Sequence, residues 1–314
     1  GYFPFDLKFI CTKFINCYKP SILLLVETEI WPNLINVFNE VKLPVVLVNG
    51  RLSNKSLKKY QRLNFFFKSS FNKINHAFVQ SKNDFERFYE AGVKEDAMSV
   101  TGSIKFDANS ASPKNFNENE INYYKEKYVF VCGSTHPGEE EILIESFIDL
   151  KKANKHLVLA PRHPERFNEI KELLKEKKLA SIFYTEISSN PNDKSDVTIV
   201  DVIGRLLDFY EIADYVFIGG TLVDHGGQNF LEPAYFHKPI ISGRSTYNFE
   251  EISKKLEDLD LLRFVSNKDE ITHAIENMEA ISDPLRQEID LWLNESRGAS
   301  KFISQKICEK FKLI

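Results

Sequence analysis

The chain reads as an α/β protein, two doubly wound parallel-sheet domains in tandem facing a central cleft, with the first domain incomplete. Three observations predict this. Short apolar runs rich in β-branched and aromatic residues alternate with longer amphipathic segments along all 314 residues, as parallel βα units require. A polar stretch at 107–122, with five asparagines in sixteen positions, divides the series. Four strand candidates precede it and seven follow, so the first sheet is thin.

In the first half the strands are expected at Ile22–Val26, Val45–Asn49, His76–Gln80 and Met98–Thr101, each a run able to be buried on both faces. Helices are expected between them near Glu29–Glu40, Ser53–Phe71 and Lys82–Ala91, the last ending at Gly92 as a C-cap. The second series is Tyr128–Gly133, His156–Ala160, Ala180–Tyr184, Val197–Val200, Tyr215–Ile218, Pro239–Ile241 and Leu262–Val265. Its helices are expected at Glu139–Lys152, Glu165–Lys175, Gly204–Ala213 and Leu231–Phe236. After Asp283 the chain is helical with a break at Gly298, and Phe302, Ile303, Ile307 and Phe311 recur at helical spacing. The domains are therefore expected at 1–108 and 123–285, joined by a linker at 109–122, with helices at 286–314 packing back toward the first domain.

A 43% hydrophobic content is ample for buried cores, and a net charge of only -4 argues against a nucleic-acid partner, which would need a surplus of cations. The cysteines, Cys11, Cys17, Cys132 and Cys308, are scattered without ligand spacing, the usage of a reducing compartment. No apolar run is long enough to span a bilayer, and no signal peptide is present. The chain opens on Gly1 without an initiator methionine, which leaves open a start further upstream. Charge is uneven. From Val41 to Asn83 there are nine basic residues and no acidic one, interleaved with Phe65, Phe66, Phe67 and Phe71. Lys55, Lys58, Lys59 and Arg62 are candidates for contact with an anionic membrane surface, with the phenylalanines dipping into it; the alternative is a solvated helix face over buried rings.

The richest stretch is 213–243, where an apolar strand runs through Gly219 and Gly220 and a loop with Gly226 and Gly227 into a helix start at Asn229–Glu232. Such a layout suits a nucleotide held at its phosphate by backbone amides and at its ribose by the Glu232 carboxylate. A plain first-turn carboxylate would look the same. After Tyr128–Gly133 come Ser134, a phosphate ligand or helix cap, and His136, a substrate contact or polar surface, while Glu139–Glu141 suit the positive end of the next helix. After His156–Ala160 come Arg162, whose guanidinium can clamp a phosphate, and His163, with Arg166 read as a solvated helix residue. Glu27, at the carboxyl end of the first strand, and Lys105, before the linker, complete the candidates. Asp258-Leu-Asp260 reads as surface, and no zinc spacing or Walker A pattern occurs, so neither a metal nor a cofactor is expected.

The motifs resemble those of the 3-deoxy-D-manno-octulosonic acid (Kdo) transferases: Phe3-Pro-Phe-Asp, Val26-Glu-Thr-Glu-Ile-Trp-Pro-Asn-Leu, Val48-Asn-Gly-Arg-Leu-Ser, Val100-Thr-Gly-Ser-Ile-Lys-Phe-Asp, Gly133-Ser-Thr-His-Pro-Gly-Glu-Glu, Ala160-Pro-Arg-His-Pro-Glu-Arg-Phe and the 213–243 block. The resemblance implies the two-domain GT-B fold and transfer of Kdo from CMP-Kdo to a lipid A precursor, by a protein lying peripherally on the cytoplasmic face of the bacterial inner membrane. It implies that Arg162, His163, the Gly219–Gly220 turn, Asn229 and Glu232 bind CMP-Kdo, joined by Ser134 and His136, with Glu27 and Lys105 facing the crevice from the other domain and Glu27, Lys105 and Arg162 acting in catalysis. The family's Ser-Val-Gly-Glu-Val-like segment, whose glutamate is taken as general base, has no counterpart here, so the resemblance implies a base upstream of Gly1 and weak or no activity for these residues alone. Two positions depart from the family pattern: Arg205 stands where it commonly has glutamate, and Gln228 where it often has histidine. Another GT-B transferase with a UDP-sugar donor, or a catalytically silent nucleotide- or lipid-binding protein, is the alternative reading.

Overall fold

The computed structural model describes residues 5–107, 113, 115–279 and 281–312, apart from the side chains of 64–66. The chain divides into two compact units, Gly1–Ala108 with Asn294–Ile314, and Asn109–Leu293.

In the first unit the order is α1 (Lys8–Tyr18), β1 (Leu23–Val26), α2 (Pro32–Glu40), β2 (Val45–Gly50), α3 (Asn54–Arg62), α4 (Asn64–Phe71), β3 (His76–Val79), α5 (Lys82–Ala91) and β4 (Met98–Val100). The strands pair in parallel in the order β1-β2-β3-β4. Local chemistry sets the helix ends. Pro32 fits the first turn of α2, so this helix starts later than Glu29, whose carboxylate accepts the Trp31 Nε1–H at 2.9 Å. Ser53 and Ser81 cap α3 and α5 by accepting the amides of Ser56 and Asp84, and Gly92 ends α5 at φ 112°. The single helix expected over Ser53–Phe71 is broken at Leu63 into α3 and α4.

One face of this sheet is covered from far along the sequence. Ile303 and Ile307 of α15 (Ala299–Phe311) pack with Val46 and Phe78, and the Asp107 carboxylate anchors the helix start by accepting the amides of Gly298 and Ser300, both at 2.6 Å. Leu24 and Val26 pair in register with Val46 and Val48, yet are 49% and 46% exposed, so the cover ends before β1. Strands of parallel sheets are ordinarily covered on both faces, and the first sheet is the smaller and incomplete one.

The second unit runs α6 (Glu118–Tyr124), β5 (Tyr128–Thr135), α7 (Glu139–Asp149), β6 (Lys155–Pro161), α8 (Phe167–Glu176), β7 (Ser181–Phe183), α9 (Tyr184–Ile187), β8 (Val197–Ile199), α10 (Leu206–Ile212), β9 (Tyr215–Ile218), α11 (Leu231–Tyr235), β10 (Ile240–Ser242), α12 (Glu250–Asp258), β11 (Leu262–Phe264), α13 (Lys268–Asn277) and α14 (Asp283–Glu295). Its parallel sheet has the order β11-β10-β9-β5-β6-β8-β7. The winding reverses between β5 and β9, which places a crevice outside their carboxyl ends. The expected linker differs from what is observed: 109–112 and 114 lie outside the described residues, and α6 begins inside the stretch at Glu118. An Asn117/Glu120 capping box starts that helix, and its Tyr124 hydroxyl bonds Thr198 at 3.1 Å in the core. The boundary expected at 286 falls inside α14, whose Ile289 and Leu293 are buried.

His76 in β3 is held between the Lys310 ammonium, 2.8 Å from Nδ1, and the Ser99 hydroxyl, 3.0 Å from Nε2. Burial, reinforced by the Lys310 charge, lowers its pKa from 6.5 to about 4. The unfolded chain thus takes up this proton near pH 6.5 while the folded one resists it until about 4, so the native state loses stability as pH falls through that window. Urea midpoints are expected to drop between these pH values and the slope to shrink in a His76→Leu variant.

Candidate functional site

At the reversal of the second sheet, the loops after β5, β6, β8 and β9 enclose a pocket of about 380 Å³, within the range of small-molecule sites. It is lined by Ser134 from the β5 loop, Arg162 from the β6 loop, Gly204, Leu206, Leu207, Asp208 and Tyr210 around the start of α10, and Gln228, Asn229 and Glu232 ahead of and within α11, with Pro113 at its edge.

Glycines make this convergence possible. A Cβ on Gly133 would lie 2.0 Å from the Tyr210 hydroxyl, so only glycine lets this buried tyrosine reach the strand end. A Cβ on Gly219 would meet the Ser134 carbonyl oxygen at 2.1 Å, so β9 and the β5 loop touch backbone to backbone. Ser134 itself has φ 54°, an uncommon left-handed conformation for a residue with a side chain.

Two buried carboxylates fasten the loops. Glu139, with no exposed surface, accepts the amide N–H groups of Gly220 (2.7 Å), Thr221 (3.0 Å), Leu222 (3.0 Å) and His136 (2.9 Å). Its neighbour Glu140 accepts the Thr135 hydroxyl at 2.9 Å and Arg166 Nη1 at 2.6 Å. Arg166 also reaches Glu169, so it is a structural ion-pair partner rather than the solvated residue expected from sequence. The Gly219–Gly220 turn, expected to let a ligand approach the backbone closely, meets other parts of the protein instead. The Gly219 N–H donates to the Gly133 carbonyl at 2.8 Å and the Gly220 N–H to Glu139, and neither residue lines the pocket.

The polar groups that do line it are set by short bonds. Asn229 donates through Nδ2 to Glu232 at 3.0 Å and accepts the Leu231 amide at 3.1 Å. Burial pushes the Glu232 carboxyl above its ordinary pKa, opposed by that Asn229 bond. Arg162 is exposed, and its backbone N–H donates to the Thr135 carbonyl at 3.0 Å. His136 sits behind the pocket: the Gln228 amide donates to its Nε2 at 3.2 Å, and His225 stacks on it with centroids 4.4 Å apart. Burial first, then His225, His163, Arg162 and Arg166, lower its pKa to about 4, so it is neutral at pH 7. His163 is exposed, edge-on to His136 at 5.6 Å and outside the pocket lining. Sequence reasoning passed over Asp208 and Tyr210; the signal for both was their place on the first turns of the helix after β8.

In the first unit Glu27, at φ 56° beyond β1, lies 3.3 Å from Lys105 Nζ and 3.6 Å from Arg51 Nη2. Burial lowers the Lys105 pKa, with Glu27 acting against it and Arg51 with it. Arg51 had been read only as part of the basic stretch. Lys55, Lys58, Lys59 and Arg62 are all exposed on or just beside the outer face of α3. The phenylalanine part of the membrane reading is corrected: Phe71 is fully buried against Tyr60 and Phe88, and the Phe67 ring packs on Tyr60 at 4.7 Å, while the Phe65 and Phe66 side chains lie outside the described residues. No helix among the described residues is long and apolar enough to cross a membrane.

Residues 1–108 match the family model described as 3-deoxy-D-manno-octulosonic-acid transferase (kdotransferase). A 3-deoxy-D-manno-octulosonic acid transferase of Haemophilus influenzae is 35% identical over 280 residues, covering 88% of this chain and 65% of that protein. By both comparisons the chain is similar to the Kdo-transferase family. A bifunctional glycosyltransferase/methyltransferase of Fusobacterium nucleatum is 36% identical over 320 residues, 100% of this chain and 48% of its own length. The chain thus spans about half to two thirds of the curated relatives it matches. In fold it is similar to the S. aureus MnaA–UDP co-structure, with TM-score 0.64 and 16% identity over 98% of this chain and 80% of that one. It is also similar to Anabaena Alr3699/HepE in complex with UDP-glucose, with TM-score 0.59 and 12% identity over 97% and 82%.

Arg205, expected from the resemblance to depart from the family pattern, does not line the pocket. Its guanidinium is 2.9 Å from Asp208 and 3.5 Å from Glu120, donates to the Asn115 carbonyl at 3.3 Å, and lies over the Phe116 and Tyr184 rings, so its charge meets internal carboxylates that tie α6 to α10. Gln228, the second such position, keeps a donor on His136 and lines the pocket. Because a Cβ at Gly219 meets backbone and not a flexible side chain, Gly219→Ala is expected to lower unfolding stability by about 1–3 kcal/mol, measured by urea denaturation.

Proposed function

We propose that the chain is the donor-binding and acceptor-facing part of a glycosyltransferase that moves Kdo from CMP-Kdo to a lipid A precursor. One observation carries the reading: a guanidinium, a hydroxyl, an asparagine and a half-buried carboxylate share one pocket at the reversal point of a parallel sheet, in a chain similar to the Kdo-transferase family. The Haemophilus influenzae relative bears the name of this activity.

In this reaction a sugar hydroxyl of the acceptor attacks the anomeric carbon of Kdo, the bond from that carbon to the phosphate oxygen breaks, and CMP leaves with the bonding electrons. The departing phosphate needs positive charge, and Arg162 is the group suited to it, helped by the Ser134 hydroxyl. Glu232, oriented by Asn229, has the acceptor oxygens to hold two vicinal ribose hydroxyls. The hydroxyl proton needs a base. Glu27 is a poor choice, because its oxygens face Lys105 and Arg51. We assign it instead to holding those two cations in place, where they suit the phosphates of the acceptor or the Kdo carboxylate. His136, neutral at pH 7, supports the site through Gln228.

The exposed row Lys55, Lys58, Lys59 and Arg62 would lie against anionic headgroups at the cytoplasmic face of the inner membrane, each cation near the surface adding about 1 kcal/mol. Replacing all four by glutamine is expected to reduce cosedimentation with phosphatidylglycerol vesicles and leave CMP affinity unchanged; equal sedimentation removes the membrane assignment. Calorimetry is expected to show CMP binding more tightly than UMP. Arg162→Ala should weaken CMP by roughly ten- to a hundredfold, the loss of a charge-assisted hydrogen bond of about 1.5–3 kcal/mol. UMP preferred over CMP would point to a UDP-sugar donor, and binding of neither would overturn the donor assignment.

A further inference from the structure

We propose that Glu139 is the positioning residue of the pocket: its carboxylate occupies the amide nest of the β9 loop as a built-in anion and thereby fixes that loop and the β5 loop against each other. The inference rests on the donor reading of the pocket.

The glycine-rich turn after β9 has the form of an anion site, since three successive N–H groups, those of Gly220, Thr221 and Leu222, converge on one point. That point is taken by the side chain of Glu139, which starts α7 and also accepts the His136 amide. Both oxygens are used, Oε1 by Thr221 and Leu222 and Oε2 by Gly220 and His136. A fully buried charge persists only where donors replace its water, and here four backbone dipoles do so. The consequence reaches the pocket by two routes. The His136 imidazole accepts from Gln228, a lining residue, and the β5 loop that carries His136 also carries Ser134. Glu140 works alongside, binding Thr135 of the β5 loop and Arg166, which follows Arg162 in the β6 loop. With the nest filled from within, an incoming phosphate is directed to Arg162 and Ser134 and away from the Gly219–Gly220 turn.

The geometry separates Glu139 from a merely buried residue. Glutamine would place an NH2 group against two amide donors, and alanine would leave the nest empty but chemically intact. A small carboxylate such as formate should then refill it. The test compares the whole chain with Glu139→Gln, Glu139→Ala and the control Glu141→Gln, whose exposed carboxylate pairs with Lys177. CMP calorimetry and hydrogen exchange at the Gly220–Leu222 amides are the two readouts. Glu139→Gln is expected to weaken CMP by roughly tenfold or more, from buried donors left unpaired, and Glu141→Gln to leave it unchanged. Glu139→Ala should lose both affinity and amide protection, and formate should restore both. Unchanged affinity and protection in folded Glu139→Gln would overturn the proposal, as would a loss in folded Glu139→Ala that formate does not reverse. If Glu139→Ala fails to fold, Glu139→Gln decides. Should the unsubstituted chain not bind CMP, the donor reading fails on its own, and amide exchange still decides whether Glu139 holds the nest.

Discussion

Burying an ionised carboxylate costs several kcal/mol unless the lost water is replaced by donors, and the carboxyl end of the second sheet is organised around two such groups placed side by side. Glu139 receives four amides and Glu140 a hydroxyl and a guanidinium, from segments that are distant in sequence and adjacent only because β5 lies between β6 and β9. The penalty works in favour of definition: displacing any of these loops strands a buried charge. The pocket is accordingly walled by loops with little freedom to shift, the condition for placing a guanidinium and a carboxylate at fixed positions.

The same logic recurs at Arg205, a position set apart by the sequence reading. Arg205 would be disruptive beside a nucleotide if it pointed inward. Flanked by Glu120 and Asp208 and laid over two aromatic rings, it serves as a strap between α6 and α10, and its charge is absorbed by the neighbours. In the first unit Asp107 does comparable work with opposite polarity, its carboxylate meeting the positive end of α15.

Much of the fold was legible because strands buried on both faces read as uninterrupted apolar runs, and all eleven strand candidates, from Leu23–Val26 to Leu262–Phe264, are strands. The helices at Lys8–Tyr18, Glu250–Asp258 and Lys268–Asn277 were not assigned, and α6 was taken for linker, since asparagine-rich composition masks a helix whose real signals are the Asn117 cap and Glu120 three residues on. Within the site, Ser134, Arg162, Asn229 and Glu232 stood out because they follow strand ends, and they share the pocket. The Gly219–Gly220 turn does allow close approach to its backbone, but the group that approaches is internal. A glycine turn with converging amides looks alike whether its anion comes from solution or from Glu139, and only the three-dimensional path of α7 distinguishes the two. Asp208 and Tyr210 were passed over because their nearness to the pocket depends on how α10 packs against β5, although their place on the first turns after β8 was a cue.

The return of α15 to the first unit bears on how the chain matures during synthesis. The second unit is continuous in sequence, so every contact within it is available as soon as its last strand and helix have left the ribosome, whereas Val46 and Phe78 wait for Ile303 and Ile307. Translation therefore presents a nascent first sheet whose Val46 and Phe78 stay without their α15 cover throughout the synthesis of the second unit. Of the two units, the earlier in sequence is the one completed last, and its closure is a long-range event governed by loop entropy rather than by local propensity.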